Sequence, residues 1–205
     1  AAAAQAGRPV FVAGNVGPSG HFARPLGDME PEELIKAFSE QIRGLVAGGA
    51  DLIFIETQFD LAEARAAVTA ARQVCDLPVM VSMTFEQGVS LTGSSPTIFA
   101  ETMQNMGVAA LGTNCSLGPD QMLPVVEELL SVCACPVVAE PNAGLPELRG
   151  SETVFPLGPE AFAQKTAAFA ARGARVLGGC CGTTPRHLAA LRQALESVSC
   201  DERPV

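Results

Sequence analysis

Apolar positions along this chain follow two rhythms that take turns. Short apolar runs such as Ala109-Ala110-Leu111 and Val176-Leu177 read as buried strands, while Leu34, Phe38, Ile42 and Leu45 form a stripe at helical spacing that predicts packing against a sheet. Six strands are predicted, over 9–14, 51–56, 78–84, 108–114, 136–140 and 174–179. Each is followed by a helical pattern, over 31–47, 61–75, 96–106, 119–133, 159–172 and 185–197 in turn. Start signals support these limits: Asp60 with Glu63 makes a capping-box pattern, and Ser95-Pro96 and Thr184-Pro185 set a capping hydroxyl before a first-turn proline. Stop signals do the same, since Gly48-Gly49, Gly107 and Gly173 supply left-handed residues that end a helix.

Strict alternation of strand and helix implies right-handed crossovers and a parallel sheet covered by helices. Six such units fall short of the eight in a (β/α)8 TIM barrel, whose usual length is roughly 250 residues. The fold class is therefore α/β, either an open sheet or an incomplete barrel.

Composition narrows the function classes. With 205 residues, 48% apolar and 17% charged, the chain is long enough for one good-sized core and unlike a disordered segment. A net charge of −9 argues against nucleic acid or an anionic membrane as partner and favours a small molecule. No apolar stretch approaches the ~18 residues of a membrane span, and the alanine-rich start lacks the regions of a secretion signal. Seven cysteines, an odd number in a chain too large to need disulfide staples, point to a reducing compartment, so a cytoplasmic location is expected.

The candidate chemistry lies in those cysteines. Cys180-Cys181 stands between Gly178-Gly179 and Gly182 at the end of a predicted strand, and Cys115 closes Gly112-Thr113-Asn114-Cys115 at the end of another. Parallel α/β folds collect their chemistry at the C-terminal ends of strands, and three converging thiolates make a zinc site. Cys115 taken alone reads as a small core hydrophobe, and the adjacent pair Cys180-Cys181 carries most of the weight. Cys133-Ala134-Cys135 lacks a nearby histidine or further cysteine to complete a second metal set, and Cys75 and Cys200 read as bystanders. His187, in a helix's first turn, reads as a surface or capping residue, and His21 is isolated. The glycines around Cys180-Cys181 have no basic residue or Gly-x-Gly-x-x-Gly context for cradling phosphate. The polar stretch 85–95, with Gly88 and Gly93, reads either as a mobile loop over the pocket or as an ordinary surface connection.

The segments Gly112-Thr113-Asn114-Cys115 and Gly178-Gly179-Cys180-Cys181-Gly182-Thr183-Thr184-Pro185 resemble those of zinc-dependent homocysteine S-methyltransferases. So do Val12-Ala13-Gly14-Asn15-Val16-Gly17-Pro18-Ser19-Gly20, Phe54-Ile55-Glu56-Thr57 and Pro141-Asn142-Ala143-Gly144-Leu145-Pro146, in the family's order across essentially the whole chain. The last looks most like the homocysteine-binding modules of cobalamin-dependent methionine synthases. The resemblance implies a (β/α)8 barrel in which these six units correspond to the third to eighth. No counterpart of the family's Asp-Gly-Ala-Met-Gly-Thr opening strand precedes Pro9, and residues 1–6 look like the tail of an earlier helix. It implies a barrel domain over 1–197, with 198–205 a tail or the start of a linker, inside a larger polypeptide.

The resemblance also implies roles. Cys115, Cys180 and Cys181 would hold Zn2+ and leave a fourth position for homocysteine sulfur, which accepts a methyl group to give methionine. Glu56 would bind the substrate's amino group, the alternative being a loop acid that caps backbone. Asn142 would touch the metal through its amide oxygen or serve as a turn former, and Asn114 would orient a ligand sulfur or the substrate carboxylate. The methyl donor would be methylcobalamin on another domain, with corrinoid-binding and folate-binding domains as partners in the same polypeptide. The alternatives are S-methylmethionine or betaine as donor, or a non-catalytic fragment that zinc merely stabilises.

Overall fold

The computed structural model describes residues 2–198. Its elements run α1 (Ala2–Gln5), β1 (Ala13–Val16), α2 (Pro31–Ala47), β2 (Leu52–Gln58), α3 (Leu61–Val74), β3 (Val79–Met83), α4 (Pro96–Asn105), β4 (Ala110–Asn114) and α5 (Pro119–Val132). There follow β5 (Val137–Glu140), β6 (Glu147–Arg149), β7 (Glu152–Val154), α6 (Pro159–Arg172), β8 (Val176–Leu177) and α7 (Pro185–Leu195). Six strands form one sheet in the order β1-β2-β3-β4-β5-β8, every pair parallel. Apart from the insertion of β6 and β7 between β5 and β8, neighbours in the sheet are neighbours in sequence, so each helical crossover moves one strand along. The sheet curls as part of a (β/α) barrel of the TIM type, with six of its units.

The helices begin where their first-turn prolines and caps dictate. Ser95 Oγ accepts the Ile98 N–H at 3.2 Å and Asp60 Oδ2 accepts that of Glu63 at 2.9 Å, each cap contributing about 1 kcal/mol. The reciprocal half of the predicted box at α3 is replaced: Glu63 is fully buried and its carboxylate accepts the Ser19 N–H at 2.6 Å, tying the loop after β1 to the start of α3. Gly173, at φ 107°, ends α6 as expected, whereas at the end of α2 Gly49 is left-handed and Gly48 remains helical.

The stripe on α2 buries Leu34, Phe38 and Ile42, with Leu45 half-buried, against the outer face of the sheet. Fully burying such a side chain is worth about 1.5–3 kcal/mol, which explains why tertiary packing holds this helix. Ile53, Ile55, Val79, Val81, Leu111, Val137 and Ala139 meet the helices from the sheet side.

Two differences from the sequence reading stand out. The first strand covers Ala13–Val16 instead of 9–14, because its partner β2 starts at Leu52, opposite Ala13, and Pro9 has no N–H to give a ladder. Val10, Phe11 and Val12 are exposed in consequence. The antiparallel hairpin β6–β7, between β5 and α6, was not anticipated; its residues are mostly exposed, so no alternating apolar pattern announces it. The tail over 199–205, including Cys200, lies outside the described residues.

Candidate metal centre

Side-chain alternation along the strands builds the floor of the site. Phe54, Met80, Ala110, Val138 and Val176 point to the inner face and form a small apolar cluster. Moving toward the strands' C-terminal ends, the same face carries Glu56, Ser82, Asn114 and Glu140, with Gly178 beyond Val176. An apolar layer is thus followed by a polar one at the end of the sheet where the cysteines sit.

Asn114, the last residue of β4, is fully buried and joins these groups. Its Oδ1 accepts from Ser82 Oγ at 2.7 Å and from the Thr57 N–H at 3.1 Å. Its Nδ2 donates to Thr57 Oγ1 at 2.7 Å and Glu56 Oε1 at 3.2 Å, and lies 3.8 Å from Cys180 Sγ. A register shift in the β2–β3 pairing between Ile55 and Gln58, with Thr57 at φ 63°, turns this part of β2 toward Asn114. Asn15 of β1 donates from Nδ2 to the other carboxylate oxygen of Glu56.

Cys115 follows Asn114 directly and takes φ 59°, with Ser116 at 56°. Left-handed backbone at two successive non-glycine residues costs on the order of 1–2 kcal/mol each. Here the chain reverses sharply enough to bring the Cys115 sulfur over the end of the sheet, and its N–H is held by the Glu140 carbonyl at 3.1 Å.

Cys180 and Cys181 lie in the turn between β8 and α7. The Cys180 N–H donates to the Pro141 carbonyl and the Ala143 N–H to that of Cys181, both at 2.9 Å. Asn142, buried, accepts the Cys181 N–H on its Oδ1 at 3.0 Å and hydrogen-bonds the Cys115 thiolate. The two glycines at either end of this turn leave room for specific neighbours. A Cβ on Gly178 would fall 2.5 Å from Glu140 Oε1, and one on Gly182, at φ 79°, would fall 2.3 Å from the Phe155 side chain.

The result is that the sulfurs of Cys115, Cys180 and Cys181 all lie within 4.8 Å of one another, with 3.6 Å between Cys115 and Cys181. Cys115 and Cys180 are half-buried and Cys181 is exposed, so the cluster is open on one side. A hydrogen bond from Cys180 pulls the Cys115 thiol down to about 5, against the effect of burial. Donating that bond, together with burial, pushes Cys180 far up, and burial followed by donation to Cys115 raises Cys181. One thiolate therefore suppresses ionisation of the other two. A soft divalent cation reverses that repulsion, and three sulfurs with one open side fit the ligand count of a zinc site that keeps an exchangeable position.

One residue escaped the sequence reading, and another was read only in part. Glu140 ends β5 beside Gly178; burial, then repulsion from Glu56, raises its carboxyl from 4.5 to about 7. Its Oε2 finds no hydrogen-bond partner among the described residues. Its position at a strand end, immediately before Pro141-Asn142, is the signal that could have marked it. His187 is buried, not superficial. It does serve the cap: Nδ1 accepts the Thr184 N–H at 3.1 Å, and Nε2 donates to the Leu157 carbonyl at 2.9 Å, which fixes the tautomer. The segment 85–95 helps line a cavity of about 470 Å3 with Thr57, Phe59 and Cys115, and Leu91 at its rim is exposed.

The curled parallel sheet carries three thiols at its strand ends, and a homocysteine S-methyltransferase family model matches residues 1–195: the chain belongs to that family. Methionine synthase from Mycobacterium tuberculosis is 35% identical over 205 residues, covering 97% of this chain, and that from Mycobacterium leprae is 36% identical over 185 residues, covering 87%. The chain spans only 17% and 15% of the lengths of those two proteins. The apo structure of the homocysteine methyltransferase MmuM from Escherichia coli aligns with a TM-score of 0.73 at 26% identity, over 93% of this chain and 64% of that one. Among the described residues no helix is long and apolar enough to cross a membrane.

Proposed function

We propose that this chain is the homocysteine-binding module of a larger methionine synthase, in which homocysteine sulfur accepts a methyl group. The observation that carries the reading is the convergence of Cys115, Cys180 and Cys181 on one open point beside the Glu56–Asn114 pair. In this reading residues 1–197 are the barrel module and 198–205 a tail or the start of a linker. The three cysteines hold zinc. When bound, zinc supplies the Lewis acidity that keeps a thiol ionised, and so nucleophilic, at neutral pH.

The protein's own residues do the rest by position. Glu56, its carboxylate oriented by Asn15 and Asn114, receives the substrate's ammonium group in a charge-assisted hydrogen bond. Asn114 fixes the distance between that carboxylate and Cys180. Asn142 sets the Cys181 backbone through its amide oxygen. The inner apolar layer of Phe54, Met80 and Val138 closes the floor against water. No general base is required, because an ionised sulfur attacks a methyl group directly. The methyl donor is methylcobalamin carried on another module; the likeness to two methionine synthases favours it over small sulfonium or ammonium donors. Corrinoid-binding and folate-binding modules of the same polypeptide are the implied partners.

Calorimetric titration with L-homocysteine tests the reading. Zinc-loaded protein is expected to bind and release a proton, and zinc-stripped protein to bind much more weakly. Equal binding by the two forms would overturn it.

A further inference from the structure

The polar layer beside the thiols holds two carboxylates in unequal settings. Glu56 has a donor on each oxygen, Asn15 Nδ2 on one and Asn114 Nδ2 on the other. Glu140 has its Oε2 buried and, among the described residues, without a hydrogen-bond partner. Strand register puts both acids on one space. Val138 lies on the inner face of the sheet and Ala139 on the outer, so Glu140 returns to the inner face. On one side it pairs in register with Asn114, the residue that holds Glu56. On the other it stands level with Gly178, one step past the Ala139–Leu177 pair. Burial first, and then the charge of Glu56, raise its carboxyl, so the two acids feel each other.

Neighbouring side chains do not supply the missing donor. Both hydrogens of Asn114 Nδ2 are taken, by Thr57 Oγ1 at 2.7 Å and Glu56 Oε1 at 3.2 Å. The neighbour on β8 has no side chain at all. A Cβ on Gly178 would fall 2.5 Å from Glu140 Oε1, and its absence is what lets the carboxylate lie over the β8 backbone. A buried acceptor without a donor is unfavourable, and two facing carboxylates add repulsion to that cost. A primary ammonium group answers both, since it brings three N–H donors and a full positive charge and can bond two carboxylates at once. Asn114 Nδ2 also lies 3.8 Å from Cys180 Sγ, so only a short carbon chain separates the carboxylates from the sulfurs.

We propose that Glu140 is a second substrate-binding carboxylate, which with Glu56 holds the α-ammonium group of homocysteine. This role rests on the homocysteine reading of the site and adds a residue to it. Glu56 approaches the ammonium nitrogen from the β2 side and Glu140 from the β5–β8 side. Selectivity for an amino thiol over a plain thiol acid therefore depends on both carboxylates.

Calorimetric titration of zinc-loaded protein with two ligands tests this: L-homocysteine, and 4-mercaptobutyrate, which has the same thiol and carboxylate and no amino group. The unsubstituted protein is expected to prefer homocysteine. Glu140→Gln is expected to weaken homocysteine by roughly 10-fold or more, as for loss of a charged hydrogen bond, with 4-mercaptobutyrate affinity and zinc content unchanged. Gly178→Ala displaces the carboxylate without removing its charge, so a smaller loss confined to homocysteine is expected. A preference for homocysteine kept in full by Glu140→Gln would overturn the proposal. So would equal weakening of both ligands, which is the mark of a general disturbance of the pocket. Where Glu140→Gln yields no folded protein, Gly178→Ala decides by the same criterion. Failure of the unsubstituted protein to bind homocysteine is a distinct result, and would overturn the homocysteine reading together with this role.

Discussion

The two ends of the parallel sheet carry thiols in opposite settings. At the C-terminal end, Cys115, Cys180 and Cys181 come from two strand ends 65 residues or more apart in sequence, and strained backbone, an asparagine on each side and a carboxylate layer hold them. At the N-terminal end, Cys133 and Cys135 are local neighbours within one short connection. Long-range convergence with buried polar support marks a site that binds something.

The sharpest way to break this contrast is to remove single thiols. Cys180→Ser or Cys181→Ser is expected to abolish zinc retention, while Cys133→Ser retains it, as metal analysis of purified protein would report. Equal zinc content in all three variants would erase the distinction between the two ends.

Smaller effects are expected from the supporting groups. Asn142→Ala removes the acceptor of the Cys181 N–H and is expected to weaken zinc by about 10–100-fold in a chelator competition. Glu56→Gln keeps the hydrogen-bonding shape but not the charge. It is expected to weaken homocysteine binding by roughly 10-fold or more, as for loss of a charged hydrogen bond, while zinc content stays unchanged. If Glu56→Gln lost zinc instead, its carboxylate would belong to the metal and not to the substrate.

A separate effect is expected on stability. Glu140 holds its proton more tightly folded, at about 7, than at its ordinary 4.5. Between these values the folded chain binds more protons than the unfolded one, so stability contributed here is present at low pH and lost as pH rises toward 7. The loss is on the order of 3 kcal/mol. Thermal melts of Glu140→Gln are expected to lack this decline between pH 4.5 and 7; an unchanged slope would place the titration elsewhere.

Much of this arrangement is legible in the sequence, for identifiable reasons. Helices that open on a proline after a cap, such as α2, α4 and α6, start where their signals say, because those signals are local. The cysteine trio is legible because strand ends are, and parallel strands put their ends together. Glu140 and the burial of His187 were not, since their environments are made by residues distant in sequence: Glu56 and Gly178 for the one, Leu157 and Phe162 for the other. The hairpin β6–β7 is invisible for a further reason, as it buries almost nothing and leaves no apolar periodicity. Its follow-on residue Phe155 nonetheless fills the space beside Gly182, so the packing of the Cys180-Cys181 turn depends on the segment least marked in the sequence.

In the proposed function three protein sulfurs hold zinc and leave one position for substrate sulfur. X-ray absorption at the zinc edge, recorded on the protein before and after addition of homocysteine, addresses it directly. About three sulfur neighbours are expected, rising to four with homocysteine. A zinc environment already saturated by protein ligands, and unchanged by homocysteine, would contradict it.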